Sequence, residues 1–112
     1  MAELRYSPEF LRDLEQIEDY ISYALFDPDS AVEIINGLLS KTEKLVTFPE
    51  SGIPLHLPDG TDTGFRGVLY KKYIAVYRVA GDEVQIVRAM HTSQDYLRLL
   101  FPWMSHYPHF EN

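Results

Sequence analysis

Apolar residues recur every three or four positions along the first half of the chain, which is the period of an amphipathic helix. The first apolar stripe consists of Phe10, Leu14, Ile17, Ile21 and Leu25. It predicts a helix over residues 8–25. The preceding Ser7-Pro8 pair supplies an N-cap hydroxyl and a proline suited to the first helical position.

A second apolar stripe follows with the same spacing. It consists of Ala31, Ile35, Leu38 and Leu45. The stripe predicts a helix over residues 28–47 that begins after a second cap-like pair, Asp27-Pro28, and ends before Pro49. Because the connection between the two helices is short, we expect them to be antiparallel neighbours.

The second half of the chain changes from helical spacing to short β-rich runs. These runs cover residues 65–70, 73–79 and 84–90. Lys71-Lys72 and Ala80-Gly81-Asp82 separate them, and connections of this length predict an antiparallel meander. Residues 3–6 add a candidate strand near the N-terminus.

The remaining segments complete the predicted order of elements. Residues 49–64 contain three prolines and three glycines and predict a loop. Residues 94–101 predict a short helix with Tyr96 on its apolar side, followed by an aromatic tail, 102–112, without a regular period. The predicted fold class is α+β in the order β-α-α-β-β-β-α, with residues 1–101 as a single domain.

The composition narrows the classes of protein to which the chain can belong. Its 112 residues include no cysteine, which excludes a disulfide framework, a thiolate metal site and a thiol nucleophile. The N-terminal residues lack the basic and apolar regions of a signal peptide, and no apolar run approaches the length of a membrane span. We therefore expect a cytoplasmic protein.

The net charge of −7 is placed unevenly along the chain. Residues 1–50 carry 4 Lys/Arg and 11 Asp/Glu, whereas residues 51–112 carry 6 of each class. Affinity for phosphates comes largely from Lys and Arg, so we do not expect direct binding to DNA without a partner. The acidic helical half is either a solvated surface or a docking surface for a basic partner.

Six segments, taken in their order and spacing, resemble the RelE/ParE superfamily of type II toxin–antitoxin toxins, on the ParE-like side. The segments are residues 4–8, 14–21, 48–52, 65–66, 73–79 and 84–91. The resemblance implies a helical hairpin packed on a small, twisted, mostly antiparallel sheet. It also implies a partner, the cognate antitoxin encoded alongside, whose C-terminal segment wraps the toxin.

Two activities occur in the superfamily that the chain resembles. ParE-like members inhibit DNA gyrase, and RelE-like members cleave messenger RNA on the ribosome. We expect a ParE-like toxin that inhibits growth, serves plasmid stabilisation, is neutralised by its antitoxin and binds a target such as DNA gyrase. The alternatives are a RelE-like endoribonuclease that needs no metal and a degenerate, non-toxic binding module.

Metal-free RNA cleavage needs a base for the 2′-hydroxyl, a cation for the phosphate and an acid for the leaving oxygen. The resemblance to RelE-like sites selects these catalytic candidates: Arg66, Arg78, Arg88, His91 and Tyr96. Simple alternation places Arg88 on one face of its strand with Val84 and Ile86. A charge that follows two apolar residues in this way must form a pair or reach the edge of the sheet. It is either a structural ion pair or a snorkelling side chain, or else part of a cationic site at the end of the sheet.

His91 follows the last strand, where ParE-like sequences often have a histidine and then an arginine before an aspartate. This chain has Thr92-Ser93-Gln94-Asp95 instead. His91 is therefore either a catalyst or a hydrogen-bonded structural residue, and Asp95 either orients it or caps the last helix. We expect Tyr73 and Tyr77, with His91 and Asp95, to contact the target or the antitoxin.

Three further histidines prompt a test for a metal site. His106 and His109 stand three residues apart, but Pro108 interrupts any helix that would align them, and His56 has no acidic partner at ligand spacing. We expect neither a metal nor a cofactor.

Overall fold

A computed structural model describes residues 2–94, which form two helices and a five-stranded sheet. The strands are β1 (Glu3–Tyr6), β2 (Ile53–His56), β3 (Asp62–Tyr70), β4 (Tyr73–Ala80) and β5 (Glu83–His91). The helices are α1 (Pro8–Asp19), continued by a π-helical segment (Tyr20–Ala24), and α2 (Pro28–Glu43), continued by a 3-10 turn (Lys44–Val46). The predicted C-terminal helix, with Asp95 and Tyr96, and the tail 102–112 lie outside the described residues.

The sheet has the strand order β1-β5-β4-β3-β2. β1 pairs with β5 in parallel, and the other neighbouring strands pair antiparallel. The helical hairpin packs on one face of the sheet, and the core between them includes Phe10, Leu14, Ile21, Ala31, Leu38, Ala75, Tyr77, Ile86 and Ala89. The predicted α+β fold, with a hairpin on a mostly antiparallel sheet, is confirmed.

Both helices begin where the sequence predicts. The hydroxyl of Ser7 accepts a hydrogen bond from the Phe10 N–H at 3.0 Å and donates to the Val87 carbonyl at 2.8 Å, which ties the start of α1 to β5. Asp27 caps α2 by accepting bonds from the hydroxyl and the N–H of Ser30, and these bonds lower the pKa of the Asp27 carboxyl. Within residues 2–94, neither helix is long and apolar enough to cross a membrane.

The segment 49–64 is not the continuous loop that its prolines and glycines predict. It contains β2, and β3 begins at Asp62 rather than at residue 65. Ile53 pairs with Gly67 and Pro54 with Arg66. β2 lies at the edge of the sheet, where a strand pairs on one side alone and a proline is tolerated.

The first apolar stripe changes direction in the π-helical segment. The Leu25 N–H bonds to the Tyr20 carbonyl at 3.1 Å, five residues back. A π turn holds more residues than an α turn, so it rotates the following side chains away from the stripe. Leu25 is consequently 54% exposed, although the stripe predicts that it joins Ile21 in the core.

A β-bulge breaks the simple alternation expected along β5. Val76 pairs with Arg88 and Tyr77 with Ile86, which leaves Val87 as an extra residue on β5. Beyond the bulge it is Ala89, not Arg88, that shares the core with Ile86. The predicted face of Arg88 is therefore wrong.

Tyr77 does not offer the surface that we expected for a target or an antitoxin. Its side chain is fully buried. The hydroxyl donates to the Pro49 carbonyl at 2.7 Å and accepts from the Gly52 N–H at 2.9 Å. Tyr77 therefore anchors the turn that leads from α2 to β2.

Replacing Tyr77 with phenylalanine should lower the free energy of unfolding by about 1–3 kcal/mol, because the buried Gly52 N–H loses its acceptor. Urea denaturation followed by circular dichroism measures this change. Tyr70→Phe is the control, since its hydroxyl bonds to Glu33 at the surface. Equal losses in the two variants would argue against the anchoring role of Tyr77.

Candidate functional site

A groove of about 860 Å³ opens between the closed end of the helical hairpin and the adjoining ends of β4 and β5. We call it the sheet-end groove. Its hairpin side is formed by Ile17, Tyr20, Ile21 and Leu25, and its sheet side by Lys71, Lys72, Tyr73, Arg88, Ala89 and His91. Three of the residues selected from the sequence thus meet in one cavity: Tyr73, Arg88 and His91.

Arg88 is held in the groove by a buried carboxylate from α1. Its Nε and Nη2 atoms donate to the two carboxylate oxygens of Asp13 at 2.7 and 3.1 Å. The Ala89 N–H donates to the same carboxylate at 2.9 Å. The hydrogen bond to Asp13 raises the pKa of the Arg88 guanidinium.

The position of Asp13 follows from the end of β1. β1 stops at Tyr6, so on its β1 side β5 has no strand partner beyond Ile86. α1 lies beside this open edge, and Asp13 accepts the Ala89 N–H that a neighbouring strand would otherwise accept. The structure thus contains the ion pair that one of the sequence interpretations of Arg88 predicts.

A second cation at the groove is also paired. Lys71 Nζ lies 2.6 Å from Glu33 Oε1, and the Tyr70 hydroxyl donates to Glu33 Oε2 at 2.7 Å. These bonds lower the pKa of Glu33 and raise the pKa of Lys71. Together they fasten α2 to the β3–β4 turn. Lys72, the next residue, is exposed and has no ion pair among residues 2–94.

His91 is built into the turn that follows β5. Its Nδ1 accepts the Ser93 N–H at 3.0 Å and lies 2.7 Å from the Ser93 hydroxyl. The side-chain oxygen of Gln94 accepts the His91 N–H at 3.1 Å. Because a backbone N–H can only donate, Nδ1 of His91 is the acceptor of this bond and is occupied within the turn.

Tyr73 lies opposite His91 on the neighbouring strand. The two rings meet edge to face with their centroids 5.1 Å apart. Burial raises the pKa of the Tyr73 phenol, and the nearby Tyr20 raises it further. The hydroxyl therefore stays protonated at neutral pH. Tyr20, Tyr73 and His91 all line the groove, and we call these three residues the aromatic row. Aromatic side chains of this kind can pack against a partner.

Two of the predicted catalytic arginines lie elsewhere. Arg66 donates to the carbonyls of Glu50 and Gly52 at 3.0 Å each and holds the turn before β2. Arg78 pairs across the sheet with Gln85, five residues along β4 from Tyr73 and thus about 16 Å away along the strand. Neither lines the groove.

Sequence reasoning missed Asp13, Tyr20 and Leu25. A signal for Asp13 is present, because it follows Phe10 by three residues and so lies on the buried side of α1. For Leu25 the sequence carries no such signal, because regular helical spacing does not indicate a π turn.

The groove offers aromatic and neutral polar contacts more than free charge. Arg88 and Lys71 are neutralised in place by Asp13 and Glu33. Among residues 2–94, no three His, Asp or Glu side chains are grouped so that they could hold a metal ion. The arrangement suits a segment of a protein partner.

Comparison with known proteins agrees with this architecture. The model of a family described as the ParE toxin of the type II toxin–antitoxin system parDE matches residues 4–96. Y4kP of Sinorhizobium fredii, a protein named as a candidate toxin, is 28% identical over 97 residues, covering 87% of this chain and 95% of that protein.

Solved structures give the same result. One chain in the structure of the chromosomal ParDE system from P. aeruginosa is 25% identical to this chain, with a TM-score of 0.66. The match covers 81% of this chain and 96% of the P. aeruginosa chain. YafQ from E. coli shares the fold, with a TM-score of 0.54 and 14% identity over 83% of this chain and 96% of that one. The chain belongs to the ParE toxin family of type II toxin–antitoxin systems.

Proposed function

We propose that this ParE-type toxin acts by binding a protein target, with DNA gyrase as the candidate, and that its co-encoded antitoxin occupies the sheet-end groove. On this proposal the protein acts in the cytoplasm. Gyrase inhibition is an activity of ParE-like members of the superfamily that the sequence resembles, and the proposal carries it over to this chain.

The proposal rests on the observation that cations in the groove are neutralised by ion pairs. An RNase of the RelE type needs a free cation at the phosphate and an unprotonated base at the 2′-hydroxyl. Here Asp13 engages Arg88 through two bonds, and Nδ1 of His91 receives the Ser93 N–H. Lys72 is the cation that remains without an ion pair in the described part of the groove.

An antitoxin segment suits the groove for two reasons. The solved P. aeruginosa relative is a ParDE toxin–antitoxin system. In this chain, the aromatic row of Tyr20, Tyr73 and His91 offers aromatic surface along the groove. Segments of a partner with an apolar side bind such grooves.

Induction of the chain alone in a bacterial host, paired with a supercoiling assay on purified gyrase, tests the proposal. We expect growth arrest, loss of supercoiling and rescue of growth by the co-expressed antitoxin. The matched control is the toxin–antitoxin complex in the same supercoiling assay, which should leave gyrase active.

The other outcomes distinguish the remaining functions. Arrest with intact supercoiling and cleaved messenger RNA would support a RelE-like endoribonuclease, which Arg88 and His91 in one groove would then serve. Normal growth with folded, abundant protein would indicate a non-toxic binding module.

A further inference from the structure

The closed end of the helical hairpin exposes a cluster of large apolar side chains, which we call the hairpin tip. Its members are Tyr20, Tyr23, Leu25 and Phe26, and Tyr23 and Phe26 are 75% and 87% exposed. Tyr20 and Leu25 also line the sheet-end groove, whereas Tyr23 and Phe26 do not. The hairpin tip is therefore continuous with the groove but extends outside it.

Phe26 is held in a conformation that costs energy. Its φ is +54°, in the left-handed region that residues with a Cβ rarely adopt. Backbone bonds from Leu25 to Tyr20 and from Asp27 to Ile21, both 3.1 Å, fix the chain on either side. Because the ring is almost fully exposed, packing within residues 2–94 does not repay this strain. Strain of this kind is concentrated at functional sites.

The two helices that meet at the hairpin tip are strongly acidic. Residues 13–40 contain seven Asp/Glu and no Lys or Arg. Two of the seven, Asp13 and Glu33, pair with Arg88 and Lys71. The other five form no ion pair among the described residues: Glu15, Glu18, Asp19, Asp27 and Asp29.

We propose that the hairpin tip is a second docking surface, which binds a Lys/Arg-rich segment of the antitoxin with an apolar anchor against Phe26. This inference rests on the proposed function and assigns it an additional surface. Unpaired acidic groups around an aromatic anchor complement a basic, partly apolar segment. An antitoxin chain that leaves the groove past Tyr20 and Leu25 arrives directly at Phe26.

A second copy of this chain fits the same surface poorly. Two hairpin tips brought together would place like charges opposite each other, which is unfavourable. A basic partner is instead attracted by the carboxylates that form no ion pair. Salt should weaken this attraction, because it screens the charges.

The first experiment measures the dissociation constant of the purified toxin and its co-encoded antitoxin by calorimetry. Phe26→Ala should weaken binding by about 30-fold, the loss typical of a hot-spot aromatic. Phe26→Gly should weaken binding equally while leaving thermal stability unchanged or higher, because glycine adopts this φ without strain. Phe48→Ala is the matched control, since Phe48 is 65% exposed on another part of the surface.

The second experiment measures the same constant at low and high NaCl. Asp19→Asn with Asp29→Asn should reduce the dependence on salt, because two charges that attract the basic segment are lost. Glu43→Gln, an exposed acidic residue at the other end of α2, should leave the dependence unchanged.

The results separate this inference from the function on which it rests. The docking role of the hairpin tip alone would be overturned if the Phe26 and Asp variants kept the affinity and salt dependence of wild type while Tyr73→Ala bound the antitoxin more weakly. No complex between wild-type toxin and antitoxin would overturn both proposals. Altered self-association of the Phe26 variants, with unchanged antitoxin affinity, would also overturn the inference. It would indicate that a second copy of the chain, and not the antitoxin, binds the hairpin tip.

Discussion

Replacing Asp13 with alanine should reduce the free energy of unfolding by about 3–5 kcal/mol, the loss expected when one partner of a largely buried ion pair is removed. Asp13 is 8% exposed and holds both Arg88 and the Ala89 N–H. The substitution therefore leaves a guanidinium and a backbone donor without their acceptor. Urea unfolding of the purified variant measures the loss.

Two control variants show which bond matters. Asp13→Asn keeps an oxygen for the Ala89 N–H but removes the charge, so it should lose less stability than Asp13→Ala. Asp19→Ala removes an exposed carboxylate from the last position of α1 and should change stability by less than about 0.5 kcal/mol. An Asp13→Ala protein as stable as Asp19→Ala would contradict the structural role of the pair.

The parts of the fold that follow from local chemistry could be predicted from the sequence. The apolar stripes, the Ser7-Pro8 and Asp27-Pro28 starts and the turn at Gly81 determine both helices and the β4–β5 hairpin. Each signal lies within a few residues of the structure that it specifies. Because several such signals agree, the overall order of helices and strands can be predicted from the sequence.

The parts that were missed depend on contacts between distant residues. β2 forms because β3 offers it an edge, although its own sequence, with Pro54, resembles a loop. The bulge at Val87 and the π turn that exposes Leu25 shift side chains by one position. A shift of that size leaves the pattern of apolar residues nearly unchanged but reverses which side chain faces the core.

Only part of the candidate site could be predicted, because some of its contacts join residues that are distant in the sequence. Tyr73 and His91 are cross-strand neighbours, so their meeting follows from the hairpin that the sequence indicates. The partner of Arg88 lies 75 residues away on α1, where its carboxylate resembles the exposed acids around it. A cationic site was therefore a reasonable hypothesis until the packing of α1 against β5 showed where its charge is neutralised.

Replacing Tyr73 with alanine should weaken antitoxin binding by about 30-fold, because the variant loses a ring that lines the groove and contacts His91 edge to face. Tyr73→Phe keeps the edge-to-face contact with His91 and should bind within about threefold of wild type, since an aromatic pair depends on the rings and not on the hydroxyl. Calorimetry with the purified antitoxin measures both constants, and circular dichroism confirms that each variant is folded.

The comparison of the two Tyr73 variants also tests whether the toxin acts by catalysis in the groove or by binding a protein. If the phenol were a general acid, Tyr73→Phe would lose activity by roughly 100-fold or more while its antitoxin affinity stayed near wild type. On the binding proposal the phenylalanine variant arrests growth as wild type does. The alanine variant binds the antitoxin more weakly, so more co-expressed antitoxin is needed to restore growth than for wild type. A phenylalanine variant that is folded, bound by antitoxin and non-toxic would therefore move the function from protein binding to catalysis at this groove.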